Sequence, residues 1–441
     1  MSRSPKLSRR RFLRHTATAA AAGVAAPYLI PSGLLAAEGR PGPNDRIGVA
    51  GIGIGRQGSG DFRSAAGSSL GRPVAVADAN IQRAEAMAAA MNIEAYQDYR
   101  KLLERKDVDA ITTATPDHWR ALVCIHACQA EKDIYAEKPM TLTIREGRLM
   151  VQAVRKYNRV FQTGSQQRSH PANRYGCELV RNGRLGKIHT VIGNNYPSPW
   201  ECALPEQPVP AGLDWDLWCG PNELVPYNND LCSPRANPGW ISFRPFSGGE
   251  MTGWGAHGLD QIQWALGMDE SGPIEIWTEG PKFDPPTYTQ PEGRGRGDRA
   301  CQSPMVFMRY EGGITLKLDN GNPGGGIFIG DKGKIEIFRG RVTSNPEELV
   351  QEPIRDDEIH LYESNNHMQN WLECIKTREK PIADVEAGHR STTVCHLGNI
   401  ARWAGRRLRW DPVQEIFPDD QDANQYLDRP RRKPYQLPET I

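Results

Sequence analysis

The chain has 441 residues, 38% of them hydrophobic and 24% charged, with 44 glycines and 34 prolines. That is enough for two domains plus appendages, and it suits a loop-rich α/β enzyme better than a helical bundle or a low-complexity chain. Of the 54 basic residues, Arg3, Lys6, Arg9, Arg10, Arg11 and Arg14 precede the first acid, Glu38, so 48 basic face 53 acidic residues after position 37, a net charge of −5, which excludes an electrostatic footprint for nucleic acid.

Residues 1–37 read as a targeting segment. Ser8-Arg9-Arg10-Arg11-Phe12-Leu13-Arg14 follows the twin-arginine export pattern, an Ala-rich run spans Ala17 to Ala26, and Leu35-Ala36-Ala37 supplies small residues for cleavage. The apolar run is shorter than the roughly 20 residues that span a bilayer. The blander reading is an Arg-rich disordered tail beside an Ala helix. Export implies the twin-arginine translocation machinery as a partner and a periplasmic or otherwise exported destination. Because that pathway carries folded proteins, the chain would fold before it crosses. The nine cysteines show no zinc-like spacing, and Cys124 and Cys128, four apart, are expected in a helix core. No metal site is predicted.

Residues 44–165 alternate strand and helix. Strands are predicted at 46–51, 73–78, 107–116 and 133–139, with helices over 82–91 and 119–130, an order that implies a parallel, doubly wound sheet. After the first strand comes Gly51-Ile52-Gly53-Ile54-Gly55-Arg56-Gln57-Gly58. A dinucleotide pyrophosphate needs backbone amides at a helix N-terminus and glycines that leave room for its approach. Two registers compete. Strand phase favours Gly51 and Gly53 as the first two glycines and puts Arg56 in the third place, whereas Gly53, Gly55 and Gly58 have the full spacing two residues later; a loop that uses both sets would reconcile them. Asp78 ends the second strand about 20 residues on, where an acid bonds ribose hydroxyls; its bland reading is a helix cap. An acid there favours NAD over NADP, while nearby Arg83 keeps NADP open.

Residues 166–410 have a different texture. Strands are predicted at 187–195, 273–280, 305–310, 313–319, 326–330 and 334–338, separated by Gly/Pro/Asn-rich loops, and nine of the eleven tryptophans lie between Trp200 and Trp403. This reads as an α+β domain with a mostly antiparallel open sheet, closed by a helix over 387–405 and followed by a Pro/Arg-rich tail, 411–441.

Ala136-Glu137-Lys138-Pro139 after one strand and Thr115-Pro116-Asp117-His118 after the strand before it resemble the Gfo/Idh/MocA oxidoreductases, the glucose–fructose oxidoreductase and inositol dehydrogenase family. The resemblance covers nearly all of the chain beyond the export segment and implies a Rossmann domain followed by a substrate and oligomerisation domain. It places Lys138 beside the nicotinamide and the reacting hydroxyl, as the group that polarises the substrate oxygen, with Thr115, Pro116, His118 and Glu137 around the cofactor. Phe161-Gln162-Thr163-Gly164-Ser165-Gln166-Gln167-Arg168 is similar to the family's next step toward the nicotinamide, which adds Gln166 and Arg168. Gly248-Gly249-Glu250-Met251-Thr252-Gly253-Trp254-Gly255-Ala256-His257-Gly258-Leu259-Asp260 resembles its substrate-site helix, in which an Asp and a His four residues apart face the sugar. His257 matches, as general acid or base. The acid's place is Gly253, a departure that removes a carboxylate. Trp254 and Asp260 are further substrate candidates, and Trp200 and Trp240 could stack on sugar rings. For Lys138 the bland reading is a surface lysine; for His257, a buried core histidine.

Trp215-Asp216-Leu217-Trp218-Cys219-Gly220-Pro221 and Asn370-Trp371-Leu372-Glu373-Cys374-Ile375-Lys376 look like an exported subfamily of that group. The resemblance implies an NAD(P)-dependent oxidoreductase acting on a carbohydrate, and a homo-oligomer. Two rivals stand beside this reading: a redox-assisted glycoside-cleaving enzyme that recycles its cofactor, and a non-catalytic sugar-binding module.

Overall fold

Strand β1 (Ile47–Ile52) is buried at all six positions, as a parallel strand covered on both faces must be. It lies inside a six-stranded parallel sheet with β2 (Gly71–Ala77), β3 (Glu94–Tyr96), β4 (Ala110–Thr113), β5 (Asp133–Ala136) and β6 (Phe161–Thr163), in the order β3-β2-β1-β4-β5-β6. The order reverses between β1 and β4, the switch point at which such sheets bind ligands beyond their strand ends. The longer helices of this half are α1 (Arg56–Ala66), α2 (Ile81–Met91), α3 (Asp117–Gln129) and α4 (Ile144–Lys156), with a five-residue helix at Tyr99–Leu103 between β3 and β4. Cys124 and Cys128 are buried in α3 as expected. The predicted strands 107–116 and 133–139 shorten to four residues each, because Pro116 starts a helix and Lys138-Pro139 turns the chain out of the sheet. Helix α4 and strand β3 were not expected. The signal for α4 was in view: Thr143 and Glu146 form a capping box.

The computed structural model of the chain describes residue 42 and residues 45–233, 239–285, 287–289 and 303–441. The export segment predicted for 1–37 lies outside the described residues.

The second sheet joins β7 (Ile188–Asn194), β8 (Glu275–Glu279), β9 (Met305–Arg309), β10 (Thr315–Asp319), β11 (Gly325–Gly330), β12 (Gly333–Phe338), β13 (Arg341–Asn345) and β14 (Leu408–Arg409), in the order β13-β12-β11-β7-β10-β9-β8-β14. All of its pairs are antiparallel except β7 with β10. Burial alternates along its strands, so one face packs on the core and the other is open. The packed face carries α5 (Pro171–Arg181) and α6 (Gly255–Leu266), with α7 (His367–Thr377) set against α1.

Helix α8 (Val385–Ala404) is buried along nearly its whole length and touches both sheets. Small residues make this possible. A Cβ on Gly388 would stand 2.0 Å from the Thr163 hydroxyl of β6, and one on Gly398 would press on Met251 and Met308 at 3.0 and 3.5 Å. This helix therefore packs against strands of both sheets at once.

Candidate active site

The glycine turn settles its own register. Gly53 has φ +79°, a conformation open to glycine, and a Cβ there would press on the Thr115 backbone at 2.9 Å. A Cβ on Gly58 would meet the Gly53 carbonyl oxygen at 2.0 Å, whereas one on Gly55 would meet nothing within 4 Å. The three glycines thus supply the tight turn, the open approach and the close helix packing that a pyrophosphate loop requires. Gly51, predicted as a cofactor contact, serves packing instead, since a Cβ there would collide with Ile54 at 2.6 Å and Phe62 at 3.0 Å. Helix α1 begins at Arg56 with Gly55 as its N-cap, no side-chain cap and no acid in its first turn. Its first amides and the positive end of its dipole face the open space beside Gly55, so the residues present fit a dinucleotide.

Asp78 follows β2 and is 9% exposed. Its carboxylate accepts the Asn80 amide at 2.9 Å and pairs with Arg83 at 3.3 Å, while Asn80, not Asp78, caps α2. Thr115 lies against Gly53, and Pro116 is the N-cap of α3.

At the end of β5 the half-buried Lys138 donates its Nζ to the Gly253 carbonyl at 3.2 Å, which brings the Glu-Lys-Pro turn onto the helix that leads to His257. Glu137 is almost wholly enclosed. Its Oε1 accepts from Gln166 Nε2 at 2.7 Å, and its Oε2 from the Lys138 amide at 3.2 Å. Burial pushes the Glu137 carboxyl up, against Lys138, Arg120 and the Gln166 hydrogen bond. Gln57, predicted to touch the cofactor, donates to Asp61 Oδ1 at 2.9 Å. Burial, reinforced by Glu137, pushes Asp61 up to about 8.

On the second-domain side, His257 stands edge-on to Trp254, with ring centroids 5.8 Å apart, and the Arg339 guanidinium lies over the Trp254 ring, 5.2 Å from its centroid. Gln167 Nε2 holds the Gly324 carbonyl at 2.8 Å and the His257 carbonyl at 3.4 Å.

Other expected contacts have structural work to do. Arg168, buried, makes a two-oxygen pair with Asp260 at 2.8 and 3.0 Å and a second pair with Asp269 at 2.7 Å, and Ser391 donates to Asp260 at 2.7 Å. The expected cofactor and substrate roles of Arg168 and Asp260 give way to this ion-pair network, because their polar atoms are spent on each other. His118 is buried against Trp218 and Phe246, its Nε2 is 2.9 Å from the Trp218 carbonyl oxygen, and burial lowers its pKa to about 3. It is a neutral packing residue rather than a cofactor contact. Trp200 is buried in an aromatic cluster with Phe243 and Tyr288, not open to a sugar.

Sequence reasoning missed Asp61, Arg120 and Asp117. Arg120 is buried in α3, donates to the carbonyls of Thr115 and Pro139, and pairs with Asp117 at 3.3 Å; Ser247 donates to Asp117 at 2.7 Å. These residues cross-link the two cofactor-side turns to the second domain. Asp61 left a trace in sequence, an acid four residues after Gln57 on one helix face, and Asp117 stands inside the Thr115-Pro116-Asp117-His118 motif without having been given a role.

Comparison with known proteins agrees with this architecture. Residues 46–165 match the oxidoreductase family NAD-binding Rossmann fold, and residues 179–437 match the oxidoreductase family C-terminal alpha/beta domain. The chain is 31% identical over 345 residues to the uncharacterized oxidoreductase YrbE of Bacillus subtilis (strain 168), covering 76% of this chain and 84% of that one. It is 30% identical over 135 residues to levoglucosan dehydrogenase of Pseudarthrobacter phenanthrenivorans, but spans only 34% of that protein and 30% of itself in the match. Among solved structures, the WlbA dehydrogenase from Bordetella pertussis, in complex with NADH and UDP-GlcNAcA, shares the fold at a TM-score of 0.60 and 17% identity, over 84% of this chain and 99% of that one. With its glycine turn, its Glu-Lys-Pro strand end and both family domains in place, the chain belongs to the Gfo/Idh/MocA oxidoreductase family and carries that family's NAD-binding domain.

Proposed function

We propose that this oxidoreductase moves hydride between NAD(H), with NADP(H) open, and a hydroxyl-bearing carbon of a sugar, polyol or glycoside. The observation that carries the reading is the Lys138 bond to the Gly253 carbonyl, which joins the cofactor-side strand end to the short helix directly before the one bearing His257. The nicotinamide, when bound, supplies the hydride chemistry. The chain's own residues do the rest. Gly53, Gly55, Gly58 and the first amides of α1 would hold the pyrophosphate, and Asp78 the ribose. Lys138 polarises the substrate oxygen through its ammonium, and His257 exchanges the hydroxyl proton at its ring. Trp254 offers an apolar face to the sugar. The names of two similar proteins, levoglucosan dehydrogenase and a dehydrogenase bound to UDP-GlcNAcA, support a carbohydrate substrate.

The same reading includes export by the twin-arginine machinery to the periplasm with the dinucleotide already bound, supported by the Ser8 to Arg14 motif and the Ala-rich run after it. It also includes self-association through the open face of the second sheet. There Ile327, Ile192, Lys317 and Phe307 stand side by side across four strands, all half-exposed. A second copy of the chain would cover this row, and light scattering on the purified protein would find a dimer or larger if so.

The decisive measurement uses protein purified without added nucleotide, denatured, with any released dinucleotide identified and counted. Near-stoichiometric NAD(H) or NADP(H) supports a retained cofactor and separates the two forms. A folded protein that is empty and gains none on incubation overturns the reading.

A further inference from the structure

Glu250 opens the short helix Glu250–Gly253, and its carboxylate lies beside Gly253. Glu250 is 7% exposed, and a Cβ built on Gly253 would lie 2.9 Å from its Oε2. The carboxylate therefore fills the space that a side chain at 253 would take. The carbonyl of Gly253 accepts Lys138 Nζ at 3.2 Å, and His257 lies one helical turn further on, where side-chain origins are about 5–6 Å apart. Glu137 and Asp117 also act electrostatically on Lys138, and each has side-chain partners of its own: Gln166 for Glu137, Arg120 and Ser247 for Asp117.

A lysine and a histidine that handle a hydroxyl proton pass through cationic forms, and a carboxylate in the same enclosed site stabilises those forms and fixes how the groups are aimed. We propose that Glu250 is the acid of this site, a positioning residue that reaches from one turn earlier into the place left by Gly253 and orients and charge-balances Lys138 and His257. The two positions depend on each other. An acid at 253 would set two carboxylates against one another, so glycine at 253 is what admits Glu250. The inference rests on the sugar-oxidoreductase reading.

Its test compares the wild-type NAD(H)-loaded protein with E250Q, G253D and the double variant E250Q/G253D, on a panel of sugars, polyols and glycosides. E250Q is expected to lower kcat by roughly tenfold or more with KM little changed, the pattern of an interaction made in the transition state. Bound NAD(H), counted after denaturation, stays at the wild-type level. G253D alone also loses rate, through like-charge crowding. The double variant regains most of the rate, since it returns one carboxylate to the same point from the other residue; a merely structural Glu250 would show no such rescue. The double variant also decides the matter if E250Q folds poorly. A kcat for E250Q within about threefold of wild type, or a double variant no faster than E250Q, overturns the Glu250 assignment and leaves the oxidoreductase reading standing. A wild-type holoprotein that turns over nothing in the panel overturns both.

Discussion

The Lys138 ammonium donates to the Gly253 carbonyl across 115 residues of chain, at 3.2 Å, so the cofactor-side strand end and the substrate-side helix share one hydrogen bond. Replacing Lys138 by alanine removes both that tie and the group set to polarise the substrate oxygen. K138A is expected to lose about 10²-fold or more in turnover, the usual contribution of a positioned acid–base group. Dinucleotide content should stay near wild type, because the glycine turn is untouched. Initial rates of NADH formation on an active sugar check this, and activity preserved in K138A would remove the lysine from the chemistry.

Two glycines of the same loop should respond in opposite ways. Gly55 has open space where a Cβ would go, so G55A should fold with stability within about 1 kcal/mol of wild type and yet hold less dinucleotide. In G58A the new methyl meets the Gly53 carbonyl, so the loop must shift, at a cost of about 1–3 kcal/mol. Chemical denaturation and nucleotide counting, run on both variants, separate blocked binding from lost stability.

Asp61 links stability to pH. Its folded-state pKa is raised to about 8 from 3.8, so the folded chain holds this proton more tightly than the unfolded one. The contribution is complete below the unfolded value and is lost as pH rises through the folded one. D61N keeps an acceptor for Gln57 and removes the titration. Thermal melts should show the wild type falling relative to D61N between about pH 4 and pH 8, with the curves converging toward acid. Parallel curves would mean that Asp61 is already ionised in the fold.

The buried Arg168–Asp260 pair should matter for stability rather than for cofactor. R168L strands the Asp260 carboxylate in the interior and is expected to cost about 3–5 kcal/mol, whereas D260N keeps hydrogen bonding and should cost less. The folded fraction of either variant should retain wild-type dinucleotide content. Loss of nucleotide from well-folded R168L would restore the arginine to the cofactor site.

Much of this was legible along the chain because it is local. The buried run Ile47 to Ile52, the proline stops at Pro116 and Pro139, and the glycine spacing each express a backbone requirement within a few residues, so the doubly wound half and its phosphate turn could be read in order. The capping box of α4 was equally local and was passed over.

The sequence by itself determined that a strand, a glycine-rich turn and a helix N-terminus follow one another, that an acid closes the next strand, and that Lys138 and His257 lie on separate segments of an oxidoreductase pattern. It left two registers for the glycines and an empty place for an acid at Gly253. Only the tertiary structure decided between them. The register depends on Gly58 meeting the Gly53 carbonyl and on Phe62 lying under Gly51, and the acid on where the Glu250 side chain runs. Arg168 and Asp260 were drawn from the site into a buried ion pair because a charge in the interior needs its opposite within reach, and which opposite stands nearest is settled by packing across 92 residues, not by spacing along the chain.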